Sequence, residues 1–321
     1  MQTKLKFTLL LLLTAVVIFS CTKHNNDQPV TPVLPPQFDT LGAGWQRIQV
    51  DSGRDFEDVF FLNNQTGFLC GNQYLGKSTD GGLTWKNLLP DSVKDKFINL
   101  FFTDINNGWA FGPATYFLRT KDGGASRQKI NGTNVFDGQF FDANNGYLSI
   151  PGALYKTSDG GITQNRIQVP ASAPGSNGLF FFNQGNGWFA GNFLYKTQDS
   201  AKTFSASSGT IGQGEYVIQF TDSLHGWVAG SAAEYRTVDA GKTLQTLLIN
   251  TDVKGGDVQF FDNNNGFILG NGRIYSTADG GTTLNKLCTI HKSQLYEIHF
   301  TDMNHGWATG NGGFVYRYVR P

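Results

Sequence analysis

The chain is poor in cysteine, in charge and in long apolar runs. Three cysteines in 321 residues rule out a disulfide framework, and none has the spacing of a metal site. Charged residues make up 16 %, and 25 Lys+Arg balance 25 Asp+Glu. No basic stripe stands out, which argues against nucleic acid as a partner. The apolar run Leu9–Phe19 has 11 residues, too few to span a bilayer comfortably. Glycine is abundant instead, at 40 of 321 residues. Many glycines with few charges suit a sheet protein with many tight turns.

The N-terminal run reads as a targeting segment. Lys4 and Lys6 precede it, and Ile18-Phe19-Ser20-Cys21 ends it. A small residue before a cysteine, directly after an apolar core, resembles the lipobox of bacterial lipoproteins. That resemblance implies a signal peptide over residues 1–20 and a lipidated Cys21, whose acyl chains hold the protein on a membrane. An ordinary secretory signal with a chance cysteine is the alternative. Residues 21–41 carry Pro29, Pro32, Pro35 and Pro36 and read as an extended tether. Loss of Lys4 and Lys6 leaves the mature chain at about −2 (0 − 2). Thr22 follows the cysteine where an aspartate would favour inner-membrane retention in the enteric sorting rule. The implied location is the cell envelope, at the outer membrane.

From residue 42 to 321 the chain repeats itself. Phe61, Phe102, Phe140, Phe181, Phe220, Phe260 and Phe300 recur about every 40 residues. Six positions after each comes a glycine, then an aromatic: Gly67-Phe68, Gly108-Trp109, Gly146-Tyr147, Gly187-Trp188, Gly226-Trp227, Gly266-Phe267 and Gly306-Trp307. A β-rich repeat of this length is one four-stranded propeller blade. The expected fold is all-β, a seven-bladed β-propeller with antiparallel blades. Blade 2 shows the plan: strands over Lys96–Thr103, Trp109–Gly112, Tyr116–Thr120 and Ser126–Ile130. Asn-Gly and Asp-Gly pairs supply the positive φ of tight hairpins. Two residues before each recurring Phe stand Val59, Leu100, Gly138, Leu179, Ile218, Val258 and Ile298. Period-two spacing puts them on the Phe face, expected to press on the next blade. Cys70 and Cys288 fall in blades 1 and 6, which are not neighbours, so both are expected as buried free thiols.

The second turn of each blade reads Ser/Thr-x-Asp-x-Gly-x-Thr-aromatic, best in Ser78-Thr79-Asp80-Gly81-Gly82-Leu83-Thr84-Trp85. Weaker copies place Asp122, Asp159, Asp199, Asp239 and Asp279 at the acidic position, with Ala201 where a glycine is expected. This resembles the Asp box, or BNR repeat, of sialidases, sortilin-type receptors, xyloglucanases and photosystem II assembly factors. The carboxylate is expected to accept backbone N–H groups of its own turn. One carboxylate per turn offers too few oxygens for calcium, and no metal or cofactor is expected. Six such turns serve seven inner strands. The chain stops after a third strand at Phe314–Tyr318, and Gly42–Ile48 reads like Gly82–Leu88. The N-terminal segment is therefore expected to complete the last blade as its outer strand.

Chain direction puts the Asn-Gly and Asp turns on one face, and on the other the loops that vary between repeats, where recognition usually sits. Three positions before the recurring Phe stand Asp58, Asn99, Asp137, Gly178, Val217, Asp257 and Glu297. Asp58, Asn99, Asp137, Asp257 and Glu297 form the candidate ligand site at the channel mouth, with Arg54, Lys94, Lys96, Lys254, Tyr216 and Tyr296 nearby. They suit a cation or a basic or hydroxyl-rich ligand; a solvated funnel of loosely paired charges is the plainer reading. His225 and His305 replace a turn Asn, and His299 stands one residue before Phe300.

The pattern Phe-Phe-x-Asp-x-x-x-Gly-Trp followed by Ser/Thr-x-Asp-Gly-Gly looks most like the photosystem II assembly-factor family, over residues 42 to 320. The resemblance implies a non-catalytic scaffold that holds other proteins. The expected function is a membrane-anchored binding propeller of the envelope, with a protein or glycan partner. A sialidase-like glycoside hydrolase is the enzyme alternative, though the Phe/Tyr-Arg-Ile-Pro motif is missing. A purely structural envelope component is the third reading.

Overall fold

A computed structural model describes residues 41–321 except 91, 133, 172–177, 212–215, 231–232, 250–255 and 291–293. The signal, Cys21, the prolines of the tether and Lys254 lie outside the described residues. Within them the chain forms seven four-stranded antiparallel sheets, arranged in a ring as a seven-bladed β-propeller. Blade 1 holds Phe56–Phe61, Gly67–Gly71, Tyr74–Ser78 and Lys86–Asn87, from the axis outward. In blade 7, Leu295–Asp302, His305–Gly310 and Phe314–Val319 are joined by Trp45–Gln49. That outer strand runs antiparallel with Trp45 opposite Tyr318 and Gln49 opposite Phe314. Closure between the two ends of the chain is thus as expected.

Blade 2 departs from expectation at its inner edge, where the strand spans Asn99–Phe102. Lys96 instead bridges to Asn72 of blade 1. Cys70 and Cys288 are both buried, and no disulfide joins them.

The repeat motif explains itself in the packing. Each recurring Phe pairs across strands with its own motif glycine, Phe61 with Gly67 through Phe300 with Gly306. Its ring covers that glycine so closely that a Cβ there would come within 2.2–2.6 Å of the ring in all seven blades. The other side of the ring stacks on the motif aromatic of the preceding blade. Seven such stacks circle the molecule, from Phe68–Phe102 to Trp307–Phe61, with centroids 3.5–4.0 Å apart. This corrects the sequence-based expectation that the Phe face presses on the next blade. Leu100 likewise packs with Phe68, Cys70 and Leu75 of blade 1. Period-two alternation names a face, but not which neighbour it meets.

Polar links run forward. The indoles of Trp109, Trp188, Trp227 and Trp307 donate to Gly160, Ala240, Gly280 and Gly81 carbonyls in the second turn of the following blade. Third-strand cations reach the same turns: Lys77 donates to Gly123, Arg119 to Asp159, Arg236 to Asp279 and Arg317 to Gly81. Blade 6 faces blade 7, where residues 41–44 stand in for the second turn. There the corresponding donors are absent, as Phe267 and Ser276.

Candidate functional site

The turn face is built from two interlocked turns per blade. In the first, Asn63, Asp104, Asp142, Asn183, Asp222, Asp262 and Asp302 each accept two backbone N–H groups of their own turn. His225 and His305 donate their backbone N–H groups here and place Nδ1 2.8 and 3.0 Å from the Asp222 and Asp302 carboxylates. In the second turn, Asp80 accepts from the Thr84 N–H and hydroxyl and from the Ser78 hydroxyl. Asp122, Asp159, Asp199, Asp239 and Asp279 repeat that arrangement. These donors hold Asp122 and Asp199 down at about 2. A backbone N–H of each second turn then donates to a carbonyl of the first, as from Gly81 to Gln65 and Gly123 to Asn106. Every oxygen so used is committed to the turns themselves.

Along the axis, the inner strands expose two rows toward the next blade. The row one residue before the recurring Phe holds Gln139, Gln219, Gln259 and His299 in four blades. Each glutamine amide accepts from the N–H and donates to the carbonyl of the next blade's Phe, at 2.5–2.9 Å. His299 places Nε2 2.9 Å from the Phe61 carbonyl. Burial pushes its imidazole down to about 4, so it is neutral at physiological pH. The sequence reading passed over these glutamines. Their recurrence at one repeat position was the available signal.

The row three residues before the Phe carries the predicted acids, and the structure divides them. Asp58 and Asp257 are sealed, 6 % and 2 % exposed. Asp58 accepts from the Leu100 N–H at 2.5 Å, and Asp257 from Ile298 at 2.8 Å. Both therefore lie beneath the mouth as inter-blade links. Asp137 makes the same link to Leu179 at 3.0 Å but keeps part of its surface open. Asn99, Asp137 and Glu297 line a funnel of about 370 Å³ on the loop face. Blades 7 and 1 also give it Tyr296 and Glu57, and blades 4 and 5 give Leu179, Tyr216, Val217 and Ile218. Acidic groups from blades 1, 3 and 7 thus face apolar side chains that come mainly from blades 2 to 5. Lys96 joins the lining and pairs with Glu57 at 2.7 Å. Arg54 is held away by Asp51 and the Asn72 and Gln73 carbonyls.

Burial raises the axial carboxyls. Asp58 and Asp137 are pushed up to about 7, and Asp257 to about 6. Glu297 is raised well above the usual range by burial and by the charges of Asp257 and Asp58. The N–H donors pull the three aspartates back, but a narrow concavity desolvates them more. Among the described residues, no group of three or more His, Cys, Asp or Glu side chains is placed to hold a metal ion.

A closed ring of seven self-capped blades, with a loop-rimmed acidic funnel at its axis, defines a seven-bladed β-propeller. Over part of its length the chain is similar to photosystem II assembly-factor propellers. A family described as photosynthesis system II assembly factor YCF48 matches residues 39–138. The chain is 28 % identical over 177 residues to the chloroplastic photosystem II stability/assembly factor HCF136 of Arabidopsis thaliana, covering 50 % of this chain and 44 % of that one. It is 23 % identical over 211 residues to the photosystem II assembly lipoprotein Ycf48 of Synechococcus sp. (strain CC9902), covering 61 % and 62 %. The matches thus span less than two thirds of either relative. Among solved structures, YCF48 bound to D1 peptide superposes with a TM-score of 0.69 at 22 % identity, over 87 % of this chain and 97 % of that one. A catalytically inactive virginiamycin B lyase from Staphylococcus aureus, with quinupristin, gives 0.71 at 9 % identity, over 86 % and 99 %. At these identities both show the fold alone.

Proposed function

We propose that the protein is a non-catalytic binding propeller of the cell envelope, held on a membrane through lipidated Cys21, which recognises a protein partner at its axial funnel. The observation that carries this reading is the funnel itself, lined by both carboxyls and apolar side chains and opening among the variable loops. Such a cavity suits a basic, amphipathic stretch of polypeptide: the alkyl stem of a lysine or arginine lies on the apolar side chains, and its charge draws the raised carboxyls back to the ionised form. The relatives support a protein ligand, since one is an assembly lipoprotein and another fold neighbour carries a bound peptide. The photosynthetic partner itself is not transferred to this chain. The second-turn aspartates take a structural role, because their oxygens are spent on their own turns.

The arginines bear on the sialidase alternative. Arg119, Arg236 and Arg317 donate to carbonyls of neighbouring turns, which leaves them badly placed to bind a substrate carboxylate together. A photo-crosslinking residue at Ile98 or Tyr296 tests the proposal in intact envelopes. The expected result is one major crosslinked protein, lost in Asp137→Asn/Glu297→Gln and kept in a control such as Arg166→Gln on an outer strand. Turnover of a glycan substrate by the purified chain would overturn the non-catalytic reading.

A further inference from the structure

Among the described residues, seven large hydrophobic side chains are more than one-third exposed, and all of them project from the turn face. Ile105, Phe182, Leu224 and Phe261 stand in first turns, and Leu83, Ile162 and Val238 in second turns. They are spread over blades 1 to 6. No described large hydrophobic on the loop face is comparably exposed. Scattered single apolar residues need no explanation, but the presence of all the described ones on one of two faces does.

The described chain also starts on that face. Trp45 pairs with Tyr318, and Tyr318 with Gly306, the residue that leaves the first turn of blade 7. Gly42 and Gly44 accept from the Trp45 and Val319 N–H groups, so residues 41–44 occupy the second-turn position. The 19 residues between Cys21 and Leu41 could reach about 65 Å if extended. A tether of that length allows either face to meet the membrane, and the apolar side chains decide between them. The turn carboxylates carry charge at neutral pH, because their hydrogen bonds favour the ionised form. Beside them Lys77, Arg119, Arg236 and Arg317 reach the same turns, and charge of both signs suits a zwitterionic headgroup layer.

We propose that the turn face rests on a zwitterionic lipid surface, with Leu83, Ile105, Ile162, Phe182, Leu224, Val238 and Phe261 dipping into the headgroup layer, so that the axial funnel points away from the membrane. This builds on the reading of Cys21 as a lipid anchor. Each exposed apolar side chain adds a small contribution, and several acting together orient an already anchored body.

The test uses the lipidated full chain in phosphatidylethanolamine–phosphatidylcholine vesicles. Leu83→Cys, Leu224→Cys and, on the loop face, Ser52→Cys each carry an environment-sensitive fluorophore; native Cys70 and Cys288 are buried. Spin-labelled lipid should quench the first two by about twofold or more and leave the third unchanged. Quenching at Ser52 instead, or at none of the three while the protein floats with the vesicles, overturns the orientation. So does a response at Leu83 and Leu224 that needs added envelope protein, which makes the face a protein interface. Cys21→Ser separately reads the anchor: release from vesicles supports it, and undiminished flotation overturns the anchoring alone.

Discussion

A methyl group on Gly306 would sit 2.2 Å from the Phe300 ring. That ring is 1 % exposed and stacked on Phe267 at 3.6 Å, so it has nowhere to move. Gly306→Ala is expected to cost about 3 kcal/mol, the upper end of overpacking penalties, measured by denaturant unfolding. The tryptophans separate stacking from hydrogen bonding. Trp227→Phe keeps an aromatic against Phe260 but strands the buried Gly280 carbonyl. We expect a loss of about 1–2 kcal/mol in the same assay. Glycine, phenylalanine and the aromatic were legible as a motif. That they form one sandwich across two blades was not, because spacing in sequence carries no information about which surfaces meet.

The strand Trp45–Gln49 is the clearest case of an element placed by sequence and fixed by closure. Its likeness to other outer strands identified its role before any coordinates. Without it, the third strand Phe314–Val319 presents an unpaired edge, and edges of this kind recruit other chains. Removal of residues 1–40 should leave the melting temperature nearly unchanged, whereas removal through Gln49 should lower it by about ten degrees or more and bring concentration-dependent association, seen by light scattering. The glutamine row acts at the same scale. Gln259→Leu leaves the Phe300 N–H and carbonyl unsatisfied and is expected to cost about 1–3 kcal/mol. The repeat displayed these residues at one position, but nothing in a single repeat gives a polar inner-strand side chain its partner. Only the approach of adjacent inner strands gives them a partner.

At the scale of the whole molecule, two sets of carboxyls set a pH dependence. Asp58 and Asp137, raised to about 7, and Asp257, raised to about 6, bind more protons folded than unfolded. Stability from that set is complete below about pH 4 and declines as pH rises through about 6 to 7. The turn carboxylates are shifted the other way, Asp122 and Asp199 to about 2. Their contribution is present above about pH 4 and is lost as pH falls toward about 2. The melting temperature should therefore peak near about pH 4–5, and Asp137→Asn should flatten the fall between about pH 4 and 7. A melting temperature that rises steadily over that range would count against raised axial carboxyls.

The residues alone determined the number of blades, the sheet order within each, the two turn types and the exchange that shuts the ring. These depend on local periodicity and turn chemistry, which a repeat prints seven times over. The tertiary structure alone decided the neighbour that each face meets, since alternation is blind to the direction in which blades succeed one another. It also decided that Asp58 and Asp257 lie sealed under the funnel while Asp137 and Glu297 line it. Depth along the axis depends on how far opposite blades close in, and no single repeat contains that distance.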